Sequence, residues 1–161
     1  MTLPAPSIDT WVGVADEPLP AASVDAWVRG PDCGAVVTFT GMVRDHAEGR
    51  AGVTALSYEA YEEHATSRIA DVVAEARRRW PAVRRVAAVH RIGDLAVGDD
   101  AVIVAVASPH RGEAFAAAEY VIDTVKETVP IWKRETWADG QSWGVDAHAI
   151  REVGVREDAS R

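Results

Sequence analysis

Cysteine is nearly absent from this chain: its 161 residues hold one, Cys33, beside five scattered histidines, His46, His64, His90, His110 and His148. A single thiol cannot form an internal disulfide, and no Cys/His cluster has metal-ligand spacing, so neither a disulfide framework nor a structural zinc site is expected. No apolar run approaches the roughly 20 residues of a membrane span. The first residues, MTLPAPSIDTW, lack the basic start and apolar stretch of a secretory signal, and the expectation is a soluble, cytoplasmic protein with no membrane attachment. Neither GxGxxG nor the P-loop pattern occurs, which leaves dinucleotide and P-loop chemistry without support. There is no internal repeat. Positive charge is in short supply, with a net charge of −8, and that argues against a general nucleic-acid binder.

What is present reads as an ordinary globular chain, 48% hydrophobic and 26% charged. The length suits one compact domain, taken as residues 1–150, with a charged tail over residues 151–161 that is expected to fray. Residues 1–20 read as an extended arm with a short strand near Trp11–Val14. Ser23 to Arg29 reads as a short helix stopped by Gly30-Pro31. GAVVTFTGMVR and VTALSYEAY are strands that could pair as a long hairpin around the loop DHAEGRAG. Glu62 to Trp80 is an amphipathic helix with Ala65, Ile69, Val72, Val73 and Ala76 on its apolar face. Arg77, Arg78 and Arg79 fill its last turn, where cations suit the helix dipole, and read as a solvated turn more than as an anion site. VRRVAAVHRIGDL and AVIVAVAS are two strands separated by a GDD turn, the second apolar enough to be central. Gly112 to about Thr128 is a second main helix, and PIWKRETWADGQSWGV a hairpin with its tip at Asp139-Gly140. The expected class is α+β, with a largely antiparallel sheet and two main helices packed on it.

The stretch IDTVKETVPIWKRE carries the chemistry. Lys126 lies four residues after Ile122 and one after Val125, so it emerges beside the apolar face of its helix. Strand alternation puts Ile131, Lys133, Glu135 and Trp137 on one face, with Trp132, Arg134 and Thr136 on the other. A lysine between large apolar neighbours is either a snorkelling rim residue or a site residue. The turn at Pro130 could return Lys133 to the side of Lys126, and two neighbouring ammonium groups disfavour each other's charge, as general acid/base or nucleophilic work requires. Two unconnected surface lysines are the plain alternative. The segment Ser108-Pro109-His110-Arg111 joins a buried strand to a helix and can cradle an anion with His110, Arg111 and free N–H groups, unless Ser108 merely caps the helix and the cations face solvent. Arg44, at the end of the first long strand, adds a cation. An acidic chain is thus expected to gather its positive groups at one pocket. His90 and Arg91 sit mid-strand and read as structural or interfacial. Cys33 reads as a packing residue, since no cationic neighbour would activate it.

Together GAVVTFTGMVRDH, the strand ending in HRIG, the Ser108–Arg111 element and the pattern DxxKxxxPxWKxE from Asp123 to Glu135 resemble the catalytic, large subunit of molybdopterin synthase, the MoaE family. The matches run in order over residues 34–143. The resemblance implies the α/β hammerhead fold of that family and a sulfurtransferase that needs no cofactor and no metal. It also implies a homodimer within a heterotetramer, each half binding a small ubiquitin-like carrier whose C-terminal Gly-Gly tail ends as a thiocarboxylate. Sulfur then passes to cyclic pyranopterin monophosphate in molybdenum cofactor biosynthesis. By motif position Lys126 and Lys133 are the implied catalytic residues. Met42, Val43, Arg44, His110, Arg111, Arg134 and Glu135 are the implied substrate-binding positions, some contributed across the dimer. Met42 stands where some relatives have lysine, and Pro109 is inserted in the histidine-arginine element. Two rival readings remain open. One is a non-catalytic dimeric module that docks a ubiquitin-like partner. The other is an enzyme that forms a lysine Schiff base with a phosphorylated carbonyl compound.

Overall fold

The computed structural model describes residues 1–47, 50–137 and 140–143. In chain order its elements begin with β1 (Thr10–Ala15), α1 (Ala21–Val28), β2 (Ala35–Met42), β3 (His46–Ala47), β4 (Arg50–Ala51), β5 (Val53–Ala60) and α2 (Glu62–Arg79). They continue with β6 (Arg85–Arg91), β7 (Gly93–Ala96), β8 (Asp100–Ser108), α3 (Arg111–Thr128), β9 (Ile131–Trp137) and β10 (Gly140–Trp143).

The fold is organised around β8, which is buried from Ala101 to Ser108. A strand of that composition needs cover on both faces. Alternation turns Val102, Val104 and Val106 to one side, where they join Val86 and Ala88 of β6 under α2 and α3. Ile103, Ala105 and Ala107 turn to the other side, against Val24 and Val28 of α1. The strand order is β1-β6-β8-β2, and among these pairings only β1 with β6 is parallel. Small residues Ala114, Ala117 and Ala118 let α3 settle closely on the sheet. Arg77, from the last turn of α2, is spent on structure: its guanidinium donates to the carbonyls of Arg84, at 2.8 Å, and of Asp9. Arg78 and Arg79 both pair with Glu75.

A second, wholly antiparallel sheet has the order β10-β9-β5-β7. Val43, Val53, Leu56, Leu95 and Ala101 form the small core beside it. Among the described residues the architecture is therefore α+β, with two four-stranded sheets, a two-stranded ribbon and three helices. The β9–β10 hairpin forms as expected, although Asp139 of its tip lies outside the described residues, as does the tail from Arg151.

Two expectations require correction. β2 and β5 do not pair as a hairpin: β2 pairs with β8 and β5 with β7 and β9, while only the two-residue ribbon β3–β4 joins the segments between them. The physical reason is that the apolar β8 needs a neighbour on each edge, and β2 supplies the second. VRRVAAVHRIGDL is not one strand either, since the chain leaves the first sheet at Ile92 and enters the second at Gly93. Gly93 sits at φ +81°, a left-handed conformation open to glycine at little cost, and this turns the chain between sheets.

Candidate active site

The link from α3 to β9 is as short as a helix end allows. The Val129 N–H donates to the Val125 carbonyl at 3.0 Å, and the Ile131 N–H donates to the Val129 carbonyl at 2.8 Å. Pro130 has no N–H with which to prolong the helix. The chain doubles back at once, so the last turn of α3 and the first half of β9 wall the same cavity, of about 640 Å³. The ends of β2 and β6 and the middle of β5 close the other sides. That volume lies in the range of small-molecule sites.

Lys126 and Lys133 both line this cavity, and they are the only lysines in the chain. Their surroundings differ. Lys133 shares a face of β9 with Glu135, as alternation requires, and its Nζ lies 3.0 Å from Glu135 Oε1; the carboxylate side chain is 6% exposed and the lysine 26%. A buried carboxylate so placed holds the ammonium in position. Lys126 is exposed on the last turn of α3 and forms no ion pair among the described residues. One lysine is therefore held by a carboxylate, and the other has no such partner among the described residues.

Met42, Arg44 and Glu135 also line the cavity. Val43 does not: its side chain is 2% exposed in the small core, its N–H donates to Asp99 and its carbonyl accepts from Gly98. Arg134 points to the opposite face of β9, as alternation dictates, and is not part of the lining. His110 and Arg111 lie at the other end of α3. Fifteen residues of helix at about 1.5 Å each place them roughly 22 Å along the axis from Lys126, with both side chains exposed. Ser108 does not cap α3. The N-cap is His110, which makes no side-chain cap bond, while Ser108 is fully buried. Gly34, ahead of β2, presses on this loop so closely that a Cβ there would sit 2.6 Å from the Pro109 carbonyl oxygen.

The cavity is less basic than the sequence suggests. Arg44, Lys126 and Lys133 are formally balanced by Asp123, Glu127 and Glu135. The lining also includes His90, which sequence reasoning read as structural or interfacial. It follows Val86 and Ala88 on the α2/α3 face of β6, and a polar residue at an inward position of an apolar strand was the signal that could have found it. Its Nδ1 lies 2.7 Å from the Arg91 carbonyl, and its ring packs edge-on against Tyr58 with centroids 5.0 Å apart. Burial, with the Lys126 charge adding to it, pushes the His90 imidazole down to about 4. The unfolded chain takes up this proton near the ordinary histidine value of 6.5 and the folded chain does not. The stabilisation is thus complete above that value and is lost as pH falls from about 6.5 to 4, a swing on the order of 3 kcal/mol. Thermal melts from pH 7 to pH 4 should fall steeply for the native chain and less steeply for His90→Gln; parallel curves would refute this.

No helix among the described residues is long and apolar enough to cross a membrane, and no cluster of His, Cys, Asp and Glu among them could hold a metal ion. A family model described as MoaE protein matches residues 14–128, which includes Lys126 and stops before Lys133. A molybdopterin synthase catalytic subunit from Nostoc sp. is 49% identical over 121 residues, 75% of this chain and 73% of its own length. The crystal structure of molybdopterin synthase from Staphylococcus aureus superposes with a TM-score of 0.78 at 41% identity, over 83% of this chain and 96% of that one. A complex of subunits 1 and 2 of molybdopterin-converting factor from Helicobacter pylori shares the fold, with a TM-score of 0.71 at 19% identity over 88% of this chain and 96% of that one. With most of its length matched by the family model and by a relative at 49% identity, the chain belongs to the MoaE family.

Proposed function

We propose that this chain is the catalytic subunit of a molybdopterin synthase. As a cytoplasmic sulfurtransferase it moves sulfur from the C-terminal thiocarboxylate of a small ubiquitin-like carrier to cyclic pyranopterin monophosphate, forming the dithiolene of molybdopterin. The observation that carries this reading is the meeting of the chain's only two lysines in one cavity beside Arg44. The carrier brings its own sulfur, so no thiol of this chain has to act. Burial and the neighbouring Asp32 carboxylate push the Cys33 thiol up, which makes it a poor nucleophile.

Lys126, exposed and without a carboxylate partner among the described residues, takes the direct part. It supplies a proton or stabilises the anion as the link to the carrier is resolved and the cyclic phosphate opens. Lys133, held by Glu135, contributes fixed positive charge and positioning. Arg44 meets the phosphate, with Met42 beside it.

A cavity with balanced formal charge is a weak trap for an anion. His110 and Arg111, too far along α3 to serve the cavity of their own chain, supply the missing cations to a second copy in a homodimer. The carrier tail completes each half of a heterotetramer.

The test is reconstitution with a thiocarboxylated carrier and cyclic pyranopterin monophosphate, followed by mass spectrometry of the pterin product. Gain of two sulfurs by the substrate is the expected result. Carrier binding without sulfur transfer would instead support the docking module, and borohydride trapping of substrate on a lysine would support the Schiff-base enzyme.

A further inference from the structure

The edge of a sheet is a row of unpaired N–H and C=O groups, and proteins protect it with a covering segment, a short strand, charge or proline. Three of the four edges of the two main sheets are protected in this way. β1 is flanked by the N-terminal arm: the Trp11 Nε1–H donates to the Pro4 carbonyl at 3.0 Å, the Asp16 N–H donates to the Met1 carbonyl at 3.3 Å, and Pro4 leans on Gly13. β7 and β10 have four residues each, and β7 carries Asp94. β2 is the exception. Its eight residues, Ala35–Met42, contain no charge and no proline, pair on one side only, with β8, and leave Thr38, Phe39 and Met42 exposed.

The direction of its backbone groups follows from the neighbouring strands. The Val86 N–H donates to the Asp9 carbonyl at 3.0 Å and the Ile92 N–H to the Ala15 carbonyl at 2.8 Å, so the odd-numbered residues of β6 turn their backbone groups to β8. Ala87 stands opposite Ala105, and Val104 opposite Phe39. Ala35, Val37, Phe39 and Gly41 therefore bond to β8, and the N–H and C=O groups of Val36, Thr38 and Thr40 point outward. No described segment reaches these groups.

We propose that a second copy of the chain occupies this edge, its β2 laid antiparallel to the first about a two-fold axis at Thr38. A strand that pairs with itself in this way sets one residue opposite its own copy, and Thr38 is the middle one of the three that point outward. Val36 then faces Thr40 of the second copy, and every outward N–H of each chain meets an outward C=O of the other. The chain carries a net charge of −8, and an uncharged strand lets two such chains meet without setting like charges opposite each other.

The same pairing completes the cavity. A two-fold axis between antiparallel strands stands perpendicular to the sheet, so both copies of α3 lie on one face, antiparallel to each other. Ala35 of the second copy stands opposite Gly41, a lining residue, and Ser108 is the neighbour of Ala35 on β8. Ser108 of the second copy is thus two strand spacings, about 10 Å, from Gly41. Within one chain Ser108 lies six residues along β8 from Val102, the partner of Gly41, which is about 20 Å. His110 and Arg111 follow Ser108 directly, so they reach the cavity of the other copy and not their own. They arrive beside Asp123 and Glu127 on its α3, a meeting of opposite charges that the symmetry makes twice. The strand pairing stands without the proposed reaction, whereas the use of His110 and Arg111 in catalysis rests on that reading.

Sedimentation velocity of the whole chain measures the association. Native protein should sediment as a dimer, and Thr38→Lys, which sets two ammonium groups face to face at the axis, should weaken association about 100-fold. Thr38→Val should remain dimeric. Thr38→Pro removes an outward N–H and no bond to β8, and it replaces the lysine variant if circular dichroism shows that one unfolded. Disulfide trapping in a Cys33→Ala background reads the register. Thr38→Cys puts two thiols at the axis, on Cα atoms about 5.5 Å apart, and should cross-link under a glutathione couple. Thr40→Cys should not, since its two copies lie roughly 14 Å apart along the strands. A native chain that is monomeric at every concentration, as an edge covered by its own residues 144–161 would give, overturns the proposal. So does a dimer that no folded Thr38 variant weakens, or one that cross-links through Thr40→Cys and not Thr38→Cys. In the reconstituted enzyme Thr38→Lys should lower kcat/KM for the pterin about tenfold or more; full activity in the monomer would overturn the delivery of His110 and Arg111 across the pair. Failure of the native enzyme to form product would instead defeat the assigned reaction, and sedimentation and cross-linking would still decide the pairing.

Discussion

Lys126→Ala is expected to lower the rate of molybdopterin formation by roughly 10²–10⁴-fold, the usual cost of losing a positioned proton donor, while leaving the thermal midpoint nearly unchanged. The side chain is exposed and has no ion pair among the described residues, so its removal strands nothing. Only a weak interaction with the C-terminal end of the α3 dipole is lost, about 0.3–1 kcal/mol. Lys133→Ala makes the instructive comparison. It robs a buried Glu135 carboxylate of its 3.0 Å partner and should lower the midpoint as well as the rate. The two lysines thus separate by stability as much as by turnover. Single-turnover assays with excess thiocarboxylated carrier, paired with calorimetry, measure both quantities. A Lys126→Ala enzyme within tenfold of native turnover would remove this residue from the mechanism.

Complementation between inactive variants should produce the second large effect. Lys126→Ala damages the cavity formed on its own chain, whereas Arg111→Ala, by the dimer arrangement proposed above, damages the cavity of the partner copy. Each variant alone is inactive. In mixed dimers one cavity carries both lesions and the other carries none. Random exchange of subunits makes half the dimers mixed, and activity should rise from background to about one quarter of native. The assay is a titration of one variant into the other after subunit exchange, read as product per total chain. Activity that stays at background at every ratio would place Arg111 and Lys126 in the same cavity or Arg111 in none. The arrangement is motivated by the length of α3 alone: some 22 Å of rigid helix at 1.5 Å per residue separates the two positions, and no side chain bridges that gap.

Much of this is legible in the sequence. α2 and α3 declare themselves by apolar spacing, a proline stop and, in α2, a charged first and last turn. Such signals are local, and a helix forms all its backbone hydrogen bonds locally. Alternation likewise assigned the faces of β9, and the Lys133–Glu135 pair follows from it. Strand partners were less legible. Nothing within β2 or β5 records that β8 will claim the one and β9 the other, because that choice is made by burial over the whole chain. The same limitation explains Val43. Its neighbours Met42 and Arg44 face the cavity, but alternation at the strand end turns Val43 inward to a core that exists only once β5 and β7 have assembled. His90, read as structural or interfacial, is buried and hydrogen-bonded, and it also walls the cavity because β6 ends where the two sheets meet.

The placement of cations at both ends of α3 has a consequence for how such an enzyme responds to dilution. If the phosphate site is completed only by His110 and Arg111 of a neighbouring copy, each bound substrate adds contacts that exist solely in the associated state. Ligand affinity and self-association are then thermodynamically linked, and each must strengthen the other by the same factor. Saturation curves should therefore shift to lower substrate concentration as protein concentration rises, and substrate should slow subunit exchange. The pterin would be, in part, a component of the quaternary structure.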